Sequence, residues 1–143
     1  MNEQINRVVS SFKYDGEPYS VLPHGNGHIN STFKVECKNG NNVTRYILQK
    51  INSNIFPDAD ALTENIENVT EFLKEKITKR GGDVLRETLS LVPTVEGKNY
   101  YTDQNGEKWR SYLFIEDTVC YEKIENPKDF YNCGYAFGNF QNL

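Results

Sequence analysis

Apolar residues recur along this chain with two periods, and the switches between them outline the elements. Ile5, Val8, Val9 and Phe12 fall at helical spacing and predict a short amphipathic helix over residues 3–12. Tyr19 to Pro23 reads as a short strand. From Ile29 to Cys37 the pattern becomes strict alternation, with Ile29, Ser31, Phe33 and Val35 set against Asn30, Thr32, Lys34 and Glu36. Such alternation marks a strand with one buried face. The turn-forming run Lys38 to Asn42 follows, and Val43 to Ile51 returns as the partner strand. Asp58 is placed to cap a long helix, along which Leu62, Ile66, Val69, Leu73 and Ile77 form an apolar stripe. Gly81 and Gly82 end it, with Lys79 and Arg80 at the negative end of the helix dipole.

Leu89 to Val95, Lys98 to Thr102 and Lys108 to Ile115 read as further strands, the last two joined by a turn over residues 103–107. Glu116 to Asn126 is less regular. Pro127 then opens a helix that places Phe130, Cys133, Gly134, Phe137 and Gly138 on related faces and reaches Leu143 in mid-pattern. The order predicts an α+β domain in which one long helix covers a mostly antiparallel sheet.

Composition narrows the function classes. The chain has 143 residues, 37% hydrophobic and 25% charged, which suits one ordinary folded domain or one lobe of a larger protein. Nine Tyr and eight Phe let a small core be filled from few positions. A net charge of -4 offers no basic field for nucleic acid or anionic lipid. The first eleven residues lack the apolar run of a secretory signal, and no segment approaches membrane-spanning length. Cys37, Cys120 and Cys133 make no zinc pattern and no disulfide framework. A reduced, cytoplasmic setting is expected, without nucleic-acid or membrane partners.

Three stretches carry candidate chemistry. His24 to Asn30 puts Gly25 and Gly27 in a loop between two strands, where backbone could approach an anion closely. A tight hairpin turn accounts for the same glycines. His24 and His28 lack a carboxylate or thiolate partner at ligand spacing, so a metal site is not expected. Lys50 ends the strand after the hairpin, and Glu64, Glu67 and Glu71 lie on the next helix. A nucleotide-binding lobe uses a strand cation on phosphate, held by a helix carboxylate; a solvated Lys and a solvated acidic face fit the residues equally. Trp109 to Asp117 is an apolar strand that breaks into an acidic linker, where an adenine ring would be held through backbone groups.

Taken together, Gly25 to Phe33, Tyr46 to Asn52 and Glu64 to Thr70 resemble the aminoglycoside phosphotransferase superfamily, in particular its N-acetylhexosamine 1-kinase branch. Leu91 to Thr94, Gly106 to Trp109 and Phe130 to Gln141 extend the similarity through nearly the whole chain. The resemblance implies a protein-kinase-like fold with MgATP between two lobes, and phosphorylation of the anomeric hydroxyl of an N-acetylhexosamine. Residues 1–116 would form the nucleotide-binding lobe, and residues 117–143 a linker and the start of the second lobe. On this sequence Gly25, Asn26, Gly27 and His28 would cover the phosphates and Asn30 would brace that loop. Lys50 would contact phosphate and pair with Glu67, or with Glu64 as second choice. Phe114, Ile115 and Glu116 would be the hinge that hydrogen-bonds adenine. Strand alternation puts Gln49 and Lys50 on opposite faces, so a shifted register would aim Gln49 at the nucleotide instead.

The sequence departs from the family pattern in one respect. After Asp103 the aspartates are Asp117 and Asp129, neither follows a His, and no histidine occurs beyond His28. The catalytic Asp of a His-x-Asp motif and the magnesium ligands are therefore expected in a second lobe, and this polypeptide alone is expected to be inactive. The alternative is a stand-alone nucleotide-binding or interaction domain without turnover. In either case the apolar face of the last helix offers a surface for dimerisation.

Overall fold

The computed structural model describes residues 3–119, 121 and 123–142. Its elements are α1 (Glu3–Ser10), β1 (Glu17–Pro23), β2 (Ser31–Asn39), β3 (Asn42–Lys50), α2 (Ala59–Lys79), α3 (Val84–Glu87), β4 (Leu91–Val92), β5 (Tyr101–Thr102), β6 (Lys108–Leu113) and α4 (Pro127–Gln141). The fold is α+β, with one antiparallel sheet in the order β1-β2-β3-β6-β4 and β5 paired to β6 beyond the end of β4.

The hairpin of β2 and β3 sets the sheet's two faces. Its register runs from Ser31 opposite Lys50 to Asn39 opposite Asn42, and β6 continues it with Trp109 opposite Lys50 and Leu113 opposite Tyr46. Because side chains alternate across a pleated strand, Val35, Cys37, Tyr46, Leu48, Trp109 and Ser111 share one face and are buried. Val8 and Val9 of α1, with Phe12 just beyond it, close over that face, and Ile5 and Tyr14 pack around them. The main core is thus covered by the short first helix, not by the long one. A buried hydroxyl needs a partner, and the Tyr14 hydroxyl donates to Ser111 Oγ (3.0 Å), which donates to the Ile47 carbonyl (2.8 Å). Desolvation pushes the Tyr14 phenol well above its ordinary value.

Asp58 caps α2, its carboxylate accepting from Ala61 N at 2.9 Å. The buried side of α2 is rotated from the expected stripe. Leu73 and Ile77 are buried, but Val69 is exposed, and Thr63 and Thr70 are buried in its place. Threonine tolerates burial on a helix because its hydroxyl bonds back to the preceding turn; here Thr63 donates to the Ala59 carbonyl and Thr70 to the Glu67 carbonyl. The Tyr100 hydroxyl, donating to Asp60 Oδ1 at 2.7 Å, ties the first turn of α2 to the segment before β5.

Two predicted strands are cut short. β4 stops at Val92 because Pro93 has no N–H to continue a ladder, and residues 94–98 fold into a turn with Thr94 N bonded to the Lys98 carbonyl. The short helix α3 was not expected from the sequence. α4 begins where Pro127 suggested, capped by Asn126, and has no buried residue. Cys37 is buried and free, with burial pushing its thiol up to about 11; Cys133 is free and exposed, and Cys120 lies outside the described residues. Among the described residues no helix is long and apolar enough to cross a membrane.

Candidate functional site

The loop between β1 and β2 is held at both ends. His24 N donates to the Thr32 carbonyl at 2.9 Å. At the other end Asn30 Oδ1 accepts from Asn52 N (3.0 Å), while the Asn52 side chain donates to the Ile29 carbonyl (3.0 Å). These two asparagines fasten the loop to the chain leaving β3. Gly25 lies in the left-handed region with φ of +74°, and a Cβ on Gly25 or Gly27 would meet no atom within 4 Å. Nothing crowds the loop on the Cβ side of its two glycines. Asn26 and His28 are exposed on it.

Strand parity separates the residues below this loop. Gln49 lies between Thr32 and Arg110 in one cross-strand row. The three side chains are linked: Arg110 donates from Nε (3.1 Å) and Nη2 (3.0 Å) to Gln49 Oε1, and Gln49 Nε2 donates to Thr32 Oγ1 (3.0 Å). This row faces away from α1. Thr32 also carries the carbonyl that anchors His24, so the row ends at the foot of the glycine loop. Burial lowers the Arg110 guanidinium from its ordinary value, the charge form being stripped of water.

Lys50 occupies the other face. Its Nζ lies 3.5 Å from Glu107 Oε1, in a cleft of about 520 Å³ lined also by Ile5, Phe33 and Trp109. The expected pair with Glu67 is not formed. Glu64 and Glu67 instead border a shallow recess with Lys98 and Tyr100. The physical reason is the pleat: one residue of register separates Gln49 from Lys50 and sends them to opposite sides of the sheet.

Phe114, Ile115 and Glu116 follow directly from β6. Phe114 N donates to the Arg45 carbonyl at 3.0 Å, Arg45 Nη1 meets Glu116 Oε1 at 3.1 Å, and Arg86 Nη1 donates to the Glu116 carbonyl at 2.9 Å. Arg45 also holds Glu36 (3.0 Å), which keeps that carboxyl below its ordinary value. The segment is thus pinned to β3 and to α3, while the amides of Ile115 and Glu116 donate no backbone hydrogen bond to any described residue. The His24 ring meets the Phe114 ring edge-on, with centroids 5.5 Å apart. That contact joins the glycine loop to the Phe114–Glu116 segment across the same face that carries Gln49 and Arg110.

The sequence reading missed Arg110. It stands in an apolar-looking strand, yet alternation with Trp109, Ser111 and Leu113 already places it on the opposite face from the core. Among the described residues no group of three or more His, Cys, Asp or Glu side chains could hold a metal ion. No known family model matches the chain.

Proposed function

We propose that this chain is the nucleotide-binding lobe of a kinase-like small-molecule phosphotransferase, with the nucleotide on the sheet face opposite α1. The observation that carries the reading is the His24–Phe114 contact of 5.5 Å. It sets the glycine loop, where a Cβ on Gly25 or Gly27 would meet no atom within 4 Å, beside a segment whose Ile115 and Glu116 amides donate no backbone hydrogen bond to any described residue. Loop amides suit phosphate oxygens, and the amides of Ile115 and Glu116 suit the acceptor nitrogens of an adenine edge. Asn30 serves the site indirectly, by fixing the end of the loop to Asn52. Lys50 and Glu67 fall outside it.

The resemblance to the N-acetylhexosamine 1-kinase branch supplies the acceptor class, an amino-sugar hydroxyl. A bound Mg2+ would neutralise phosphate charge in such a reaction, and the resemblance puts the residues that would hold it, with the catalytic Asp, in a second lobe. The reading is therefore of a lobe that binds ATP and does not by itself transfer phosphate.

The test is calorimetric titration of the chain with MgATP, alongside an assay for sugar phosphate with N-acetylglucosamine as acceptor. Saturable ATP binding without product is the expected result. Absence of nucleotide binding, or product above a protein-free control, would overturn it.

A further inference from the structure

We propose that Arg110, positioned by Gln49, is the cation that takes the phosphate group of the ligand on this face. The proposal rests on the nucleotide reading above and adds a residue to it. Arg110 differs from Lys34, Arg45 and Lys50 in what it meets, whereas Lys108 on the same strand also bonds a neutral oxygen, Thr102 Oγ1 at 2.8 Å. Lys34 lies 3.7 Å from Glu36, Arg45 lies 3.0 Å from the same carboxylate, and Lys50 lies 3.5 Å from Glu107. Arg110, among the described residues, meets no carboxylate and has the neutral amide oxygen of Gln49 as its acceptor. A half-buried cation that has lost water and gained no counter-charge is held at a cost, and an arriving anion relieves it.

The guanidinium's orientation fits that use. Nε and one N–H of Nη2 are spent on Gln49, which leaves the second N–H of Nη2 beside Nη1, and Nη1 donates to no described residue. No buried polar side-chain atom among the described residues lacks a partner, so Nη1 is open to solvent rather than sealed inside. Gln49 is itself fixed by Thr32, and Thr32 anchors the glycine loop through His24 N. The free edge of the fork is therefore held in the row that ends at the foot of the glycine loop. A planar fork with an open edge is the geometry that recognises a phosphate oxygen pair.

The experiment measures dissociation constants of the chain for inorganic tripolyphosphate, MgATP and adenosine. The variants are Arg110→Gln, Arg110→Lys, Gln49→Glu and Lys50→Gln, with a thermal melt for each. Gln49→Glu keeps a partner for the guanidinium but supplies its counter-charge from within, so it tests the idea even if Arg110→Gln folds poorly. Arg110→Gln and Gln49→Glu should weaken tripolyphosphate and MgATP by about tenfold or more, the size of one charge-assisted contact. Arg110→Lys should fall between them and the parent chain, and Lys50→Gln should stay within about twofold. Unchanged MgATP affinity in both Arg110→Gln and Gln49→Glu would overturn the role of Arg110 while leaving the nucleotide reading intact. Arg110-dependent binding of tripolyphosphate without any for MgATP would do the reverse. Binding of neither would overturn both.

Discussion

Asp103 accepts four N–H groups, two on each carboxylate oxygen. Oδ2 takes Gln4 Nε2 (3.0 Å) and Trp109 Nε1 (2.9 Å), and Oδ1 takes the amides of Asn105 (2.9 Å) and Glu107 (3.1 Å). Burial acts to raise this carboxyl, but the four donors outweigh it and hold it below the ordinary 3.8. A depressed folded-state value gives stability that is present above the ordinary carboxyl range and lost as pH falls through the lower one. Asp103→Asn turns an NH2 toward two donors and should destabilise the chain by about 2 kcal/mol in urea denaturation at neutral pH. Its stability should also fall less steeply below pH 3.8 than that of the parent chain; equal slopes would contradict the role given to this carboxylate. Asp103 was readable only as part of a hairpin turn, because its partners Gln4 and Trp109 come from other elements. Arg110 was readable from parity alone, but its significance was not, since that depends on which neighbouring cations find carboxylates in space.

At the scale of elements, β1 depends on a close approach at its start. Gly16 has φ of +100°, and a Cβ there would lie 2.6 Å from the carbonyl carbon and oxygen of Lys38. Backbone atoms of a paired strand have little room to yield. Gly16→Ala should therefore cost about 3 kcal/mol, combining left-handed strain with the clash, measured as a shift in the urea midpoint. A change below about 0.5 kcal/mol, the scale of neutral surface substitutions, would contradict the close packing of β1 on β2. The hairpin of β2 and β3 and the capped start of α2 were legible because their signals are local: alternation around Lys38 to Asn42, and Asp58 ahead of a periodic run. The rotation of α2 was not, because buried Thr63 and Thr70 read as polar in sequence and their back-bonding hydroxyls are a structural fact. That α1 closes the core face was not legible for a related reason. Length favoured α2, whereas the choice of α1 depends on Phe12 and Tyr14 extending the apolar surface beyond its last turn.

For the whole molecule, the sheet has two faces with different chemistry. The α1 side is a core with a cleft at one end, where Lys50 is already satisfied by Glu107. The other side carries the glycine loop, the Thr32–Gln49–Arg110 row and the segment after β6, joined by His24 and Phe114. The proposed function requires a nucleotide on the second face and not in the cleft. Amide chemical-shift mapping of the isotope-labelled chain during titration with MgATP tests this most directly. Saturable shifts are expected at Gly25, Gly27, Asn30, Gln49, Arg110, Ile115 and Glu116, with Ile5 and Lys50 little moved. Shifts centred on Ile5, Lys50, Glu107 and Trp109, or none at any concentration, would contradict it.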